Sequence, residues 1–296
     1  MDYVIVAVSL GCVYALIALG YALIYSCLRM LNFAHGEFCM IGAFSALGVT
    51  LLPGIHSWIL LPAAVVGGGL AALCTWIIAY RPLKGADRAS AILVAIGASI
   101  CLQQVIARTV GARAQAFAPS GWDFGFTISS TRISAASILA LTSLCGLFLL
   151  VHIVWTRTRF GLTVRAIADD REAAESSGIP SGRIIRWVFC VAGGAAGIAG
   201  VVLALSFSRI DPYMGFAPAL KAFVAALVGG LQDPRRAALG GVTLGVAETV
   251  LVAIGLSAYR DAIVLSMLVL TLLFQARIRS SSRILQAPLV NEEGED

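Results

Sequence analysis

The chain has little charge: only 12% of its 296 residues are Asp, Glu, Lys or Arg, against roughly a quarter in a soluble domain. That scarcity excludes an ordinary water-soluble fold. Seven cysteines (Cys12, Cys27, Cys39, Cys74, Cys101, Cys145 and Cys190) stand one by one in apolar segments, with no CxxC pair and no histidine cluster nearby. They read as small apolar side chains inside helices, so neither disulfides nor a metal site is expected, and no cofactor. No GxxxxGK followed by Ser or Thr occurs, which excludes nucleotide hydrolysis by this chain itself. The net charge of +5 comes from basic residues spread singly or in small groups between apolar runs. That pattern orients a chain in a membrane and is not a nucleic-acid footprint. The amino-terminal run MDYVIVAVSLGCVYALIALGYALIY has no basic leading region and is too long for a signal peptide, so it is expected to remain as a first transmembrane helix.

What the chain does have is apolar length: 59% hydrophobic residues and 30 glycines. The expected fold is all-α, a polytopic inner-membrane helical bundle. About 20 residues at 1.5 Å each cross the hydrocarbon, and nine spans are predicted near 3–27, 37–52, 58–80, 89–107, 133–155, 186–207, 214–231, 236–256 and 259–276. The second and seventh are short and interrupted by glycine or proline. Fifteen basic residues fall in the loops and tail assigned inside, including Arg29, Arg81, Lys84, Arg88 and those of 157–186, against Arg108, Arg113, Arg132, Arg209 and Arg260 outside. The amino terminus is therefore expected outside and the carboxyl terminus inside. Residues 1–279 read as one membrane domain and 280–296, polar and ending in acids, as a disordered cytoplasmic tail. The outer 108–132 loop carries Phe117, Trp122, Phe124 and Phe126, consistent with a segment at the membrane surface or against an external partner.

A short internal repeat is visible. The first span ends in Ser26-Cys27-Leu28-Arg29 and passes through Asn32 and Phe33; the sixth ends in Ser206-Phe207-Ser208-Arg209 and passes through Asp211 and Tyr213. Each copy then enters a short broken span. The span count places the copies in opposite orientations, an inverted repeat that puts a substrate path between the broken segments. Asn32, His35 and Glu37 in NFAHGE are costly at bilayer depth and should line protein or water, or cap a turn at the interface. Lys221 and Glu248 lie within spans, where pairing or an aqueous path is expected. Asp211 and Tyr213 complete the candidate path. Spacings such as Gly193 to Gly197 and Gly241 to Gly245 suit close helix packing.

The one sizeable charged surface is the 157–186 loop. Leu162 to Ser177 has helical composition, with Gly178 and Pro180 as stops, so a short helix lying along the membrane surface is predicted there.

Over nearly its whole length the chain resembles the branched-chain amino-acid permease subunits of bacterial ABC importers, of the LivH type. The resemblance is carried by ALIALGYALIYSCLRMLNFAHGEFCMIGA, AYRPL, AILVAIGASICLQQ, RAIADDREAAESSGI, DPYMGFAPALKAFVAALVGG and LGGVTLGVAE. It implies a heterodimer with a second permease, two cytoplasmic ATPase subunits, a periplasmic binding protein and a membrane-lipid environment. It also implies that the loop is the coupling segment, with Arg165, Ala166, Asp169, Asp170, Glu172, Ala173, Ala174, Gly178 and Ile179 at the ATPase, and small residues such as Ala174 and Gly178 packing into its groove. Two stretches depart from the family pattern: Gly229-Gly230-Leu231-Gln232-Asp233-Pro234-Arg235, and Phe274-Gln275-Ala276-Arg277. A branched-chain or other hydrophobic amino acid is the implied substrate. Urea, short amides, sugars or nucleosides remain open, as do an ion-coupled carrier and a channel, although Glu248 is the only acid well inside a predicted span.

Overall fold

A computed structural model describes residues 2–53, 56–83, 88–122, 125–128 and 131–285. Eleven α-helices lie in these segments: α1 (Asp2–Leu28), α2 (His35–Thr50), α3 (Leu60–Thr75), α4 (Arg88–Thr109), α5 (Ala135–Arg157), α6 (Arg159–Asp169), α7 (Arg171–Ser176), α8 (Ser181–Phe207), α9 (Phe216–Gly229), α10 (Pro234–Ala253) and α11 (Arg260–Leu285). A π turn (Trp76–Tyr80) and a 3-10 turn (Arg81–Leu83) prolong α3. All nine expected apolar segments are helical. Among the described residues six helices are long and apolar enough to cross a membrane: Tyr3–Leu28, Leu60–Leu83, Ala89–Thr109, Ala135–Arg157, Ser181–Phe207 and Pro234–Ala253. With 16 and 14 residues, α2 and α9 reach only about 24 and 21 Å at 1.5 Å per residue. Helix α11 continues through Leu285 instead of giving way to a tail at Ser280; residues 286–296 lie outside the described residues, as do Lys84 and Phe124.

Two small sheets stand where the sequence predicts only loop. Strand β1 (Gln115–Ala116), β2 (Gly125–Ile128), β3 (Thr131–Ser134) and β4 (Arg209–Ile210) pair antiparallel as β1 with β4 and β2 with β3. Phe117 is buried while Phe126 is 64% exposed, so the aromatic loop divides between the core and the surface.

Helices α8 and α1 form the centre, and α4 and α5 are largely exposed on the outside. Close approach of α1 and α10 requires glycine: a Cβ on Gly245 would overlap Gly11 Cα, and one on Gly241 would overlap Ala15. Gly193 and Gly197 do the same for α8 against Gly68 and Ala64 of α3. Without a hydrophobic drive between helices in lipid, such backbone contact is a main source of packing energy.

The ends of the bundle are distinguishable. At one end Arg29, just past α1, donates from Nη2 (2.8 Å) and Nε (3.2 Å) to Ala168 O in α6. At the other, β4 just past α8 pairs with β1, and Phe117 N donates to Ser208 O. Tyr80, at the end of the prolonged α3, meets Asn32 Oδ1 at 3.0 Å, while the end of α2 shares a cleft with Phe117. Short as it is, α2 therefore carries the chain from the first end toward the second.

Candidate functional site

The two broken segments are built alike. Asn32 Oδ1 accepts from Ala34 N at 3.0 Å, and Asp211 Oδ1 accepts from Tyr213 N at 2.9 Å. In each turn the residue three further on donates its N–H back, His35 to Asn32 O and Met214 to Asp211 O. Such Asx turns redirect the chain without leaving its backbone groups unpaired. Both are preceded by a non-glycine residue at positive φ, Arg29 at 55° and Ser208 at 52°. Four residues beyond each Asx residue comes a glycine, and these two glycines touch. A Cβ on Gly36 would stand 2.7 Å from Gly215 O, and one on Gly215 would overlap Gly36 O. The starts of α2 and α9 thus cross backbone to backbone.

Around this crossing polar groups are buried. His35 is fully enclosed, its ring 4.5 Å from that of Tyr21, in space left by the missing side chain of Gly20. Glu37 Oε1 accepts from Ser99 Oγ (2.9 Å) and Gln103 Nε2 (2.7 Å) of α4, and its place in the first turn of α2 suits a negative group. Asn32, 1% exposed, uses Oδ1 for the turn and for Tyr80, while its Nδ2 has no partner. Asp211 is half-buried and Tyr213 exposed.

Lys221 and Glu248 form a second, separate group. Lys221 Nζ lies 2.6 Å from Glu248 Oε1 and 2.7 Å from Asp261 Oδ1; Tyr14 donates to Glu248 Oε2 at 2.7 Å, and Arg260 stands 3.6 Å from Oε1. Four helices, α1, α9, α10 and α11, are tied at this point. Of the two expectations for these residues, pairing or an aqueous path, the structure shows them paired with each other, and a buried pair of this kind needs the extra hydrogen bond from Tyr14 to satisfy the second carboxylate oxygen.

The charged loop contains two helices rather than the single one expected. Asp170 adopts an extended conformation (φ −149°, ψ 110°), ends α6 and caps α7, its Oδ1 accepting from Ala173 N at 3.0 Å. An Asx residue that caps the next helix competes with continuation of the previous one. Gly178 closes α7 in the left-handed region (φ +83°), with Ile179 N bonded to Ala174 O, the glycine stop that the sequence predicts. Asp169, Asp170, Glu172 and Ala173 are exposed, and Ala166 and Ile179 are half-buried. Ala174 is 5% exposed and packs inside the chain, so its methyl does not face outward as a docking contact would. Arg165 is likewise engaged, donating to Trp155 O at 2.7 Å.

The family described as branched-chain amino acid transport system / permease component matches residues 3–272. This chain belongs to that family. It is a multi-pass membrane permease component and not an enzyme. The high-affinity branched-chain amino acid transport system permease protein LivH of Salmonella typhimurium is 37% identical over 281 residues, covering 90% of each chain. The corresponding protein BraD of Pseudomonas aeruginosa is 33% identical over 279 residues, covering 90% of this chain and 91% of its own. Among solved structures, an inward-facing conformation of a metal-chelate type ABC transporter has a TM-score of 0.50 at 13% identity, covering 93% of this chain and 83% of that one, a likeness of fold alone.

The permease holds several site residues that the sequence pattern alone does not single out. Ser99 and Gln103, one helical turn apart on α4, are the polar pair that faces Glu37, and that i, i+4 spacing inside an apolar span is a usable signal. Tyr14 and Tyr21 lie a heptad apart on one side of α1. Arg29 reads in the sequence as an orienting charge and as part of the repeat, with nothing to show that it grips α6. Where the sequence departs from the family pattern at Gly229 to Arg235, the turn is well formed: Asp233 Oδ1 accepts from Arg235 N at 2.9 Å and Pro234 begins α10, a standard helix start.

Proposed function

We propose that this permease is one of two transmembrane subunits of an ATP-driven, binding-protein-dependent importer of leucine, isoleucine, valine or a similar hydrophobic amino acid. In this reading it sits in a bacterial inner membrane with its amino terminus periplasmic and its carboxyl terminus and 157–186 loop cytoplasmic. Two ATPase subunits meet the exposed face of the loop, at Asp169, Asp170, Glu172 and Ala173, and a periplasmic binding protein delivers substrate to the opposite end. The matching Asx turns, one entered from Arg29 at one end of the bundle and the other from β4 at the opposite end, support an inverted repeat, with the path running along the crossing of α2 and α9.

The observation that carries the mechanism is the Arg29 clamp. Its guanidinium grips Ala168 O of α6, while its backbone begins the turn that leads through Asn32 to Gly36. A movement of α6 and α7 driven by ATPase closure is therefore passed to the start of α2 and to its contact with α9, shifting the bundle between states open to one side and then the other. No fixed charge at the crossing has to follow the substrate. A zwitterion with an apolar side chain suits such a path better than a sugar, each of whose hydroxyls would need a partner on desolvation.

In proteoliposomes holding the complete complex, uptake of leucine is expected only with ATP and binding protein together. Arg29→Gly, which accepts the positive φ and removes the clamp, is expected to keep ATPase co-purification and lower uptake at least tenfold. Normal uptake by that variant would reject the linkage, and uptake of leucine by this subunit alone on an ion gradient would reject the importer. ATP-dependent uptake of ribose but not leucine would overturn the substrate alone.

For topology, single reporter cysteines replacing Asp2 and Asp170 in a cysteine-free background are expected to react from opposite sides of the membrane. Labelling of both by an impermeant reagent in intact cells would refute the orientation.

A further inference from the structure

Beside the crossing of α2 and α9 lies a small cavity of about 70 Å³, walled by Phe33, Phe216, Leu220 and Phe223 and reached by Tyr21 and Asn32. Its rings are mutually fixed: Phe223 stands 5.8 Å from Tyr21 and 6.5 Å from Phe33, centroid to centroid. Its position is tied to the moving parts, because Asn32 belongs to the turn that Arg29 begins, and Leu220 and Phe223 belong to the broken helix α9. The lining of the cavity is almost wholly apolar, and Asn32, whose buried Nδ2 has no hydrogen-bond partner, stands at its edge. A buried amide donor left open costs free energy unless a ligand or water accepts from it.

Resting on the importer reading above, we propose that this cavity receives the side chain of the transported amino acid and that the permease itself selects by side-chain size. The volume decides the class. A cavity of about 150 Å³ takes up benzene, and one of about half that volume is matched to a branched aliphatic group of about three or four carbons better than to an aromatic one. The aromatic walls give such a group contact on several sides without asking it to pair with any charge. Selection would then occur twice, once in the binding protein and again at the crossing.

The test is made on the complete reconstituted complex, with one binding protein that accepts alanine, leucine, valine and phenylalanine used throughout, so that changes in preference belong to the permease. Leu220→Trp fills the cavity and is expected to lower maximal uptake of leucine about tenfold more than that of alanine. Phe223→Ala enlarges it and is expected to raise the phenylalanine to leucine uptake ratio about tenfold, the discrimination typical of a fitted apolar pocket. The same fractional loss for every amino acid in both variants would show that these side chains only pack, and would overturn the proposal. Should either variant fail to assemble, Leu220→Cys decides: leucine is expected to protect this thiol from a maleimide while phenylalanine does not, and equal labelling with and without leucine overturns the proposal. Because protection is read without ATP, its failure is distinct from a failure of the importer reading, which would appear as absent ATP-dependent uptake by the wild-type complex.

Discussion

Lys221→Met is expected to destabilise the permease by about 3–5 kcal/mol, the cost of leaving a buried ion without its partner. The carboxylate of Glu248 is 1% exposed, and Lys221 is its nearest cation at 2.6 Å. Removing Lys221 leaves it the Tyr14 hydroxyl and Arg260 at 3.6 Å. The reverse change, Glu248→Leu, is expected to cost less, because Lys221 keeps Asp261 at 2.7 Å and is itself 13% exposed. Combining Lys221→Met with Glu248→Leu removes both charges and is expected to recover most of the loss, since an apolar pair of similar volume often replaces a buried ion pair without penalty. Thermal unfolding of the four purified proteins in one detergent measures all of this. Equal melting of Lys221→Met and the wild type would show that the pair contributes nothing to stability, and failure of the double variant to recover would show that the charges themselves are needed.

Gly215→Leu is expected to abolish uptake, by a factor of about a hundred or more, while the chain still inserts and still binds its ATPase. The neighbour that a side chain at 215 would meet is the backbone oxygen of Gly36, which has no rotamer by which to withdraw. Overpacking that forces backbone to move costs about 1–3 kcal/mol or more, and here the displacement falls on the two helix starts that the proposed mechanism moves. Gly36→Leu is expected to do the same from the other side of the contact. Gly48→Leu serves as the control, because a Cβ there meets nothing within 4 Å, and it is expected to leave uptake unchanged. Uptake by Gly215→Leu within about twofold of the wild type would refute the close crossing.

Much of this architecture is legible in the sequence, and the reason differs by feature. Hydropathy locates all nine apolar helices, because a span is a property of some 20 consecutive residues and needs no knowledge of neighbours. The Gly178 stop is legible too, being a local matter of φ. That Lys221 and Glu248 each need a partner or water follows from cost alone, since neither charge is tolerable in lipid by itself, whereas that they meet each other is a tertiary fact. The motifs NFAHGE and RAIADDREAAESSGI are enough to point to the family.

Other features depend on what meets across the fold. The division of the loop at Asp170 escapes a sequence reading because 162–177 is helical in composition throughout, and only the Asp170 side chain bonding to Ala173 N makes a cap of what propensity would continue. Ala174 resembles a docking surface because it is small, yet it is 5% exposed within the folded chain, which no local window shows. Helices α2 and α9 are short, at 16 and 14 residues, and the residue at which each begins is set by the Asx turn before it and not by apolar content. Composition and hydropathy by themselves determined that this chain is a helical membrane protein and roughly where each helix lies. Only the tertiary structure decided that Gly36 meets Gly215, that Arg29 holds α6 and that Ser99 and Gln103 face Glu37, because each of these contacts joins residues far apart in sequence through backbone geometry that no local pattern encodes.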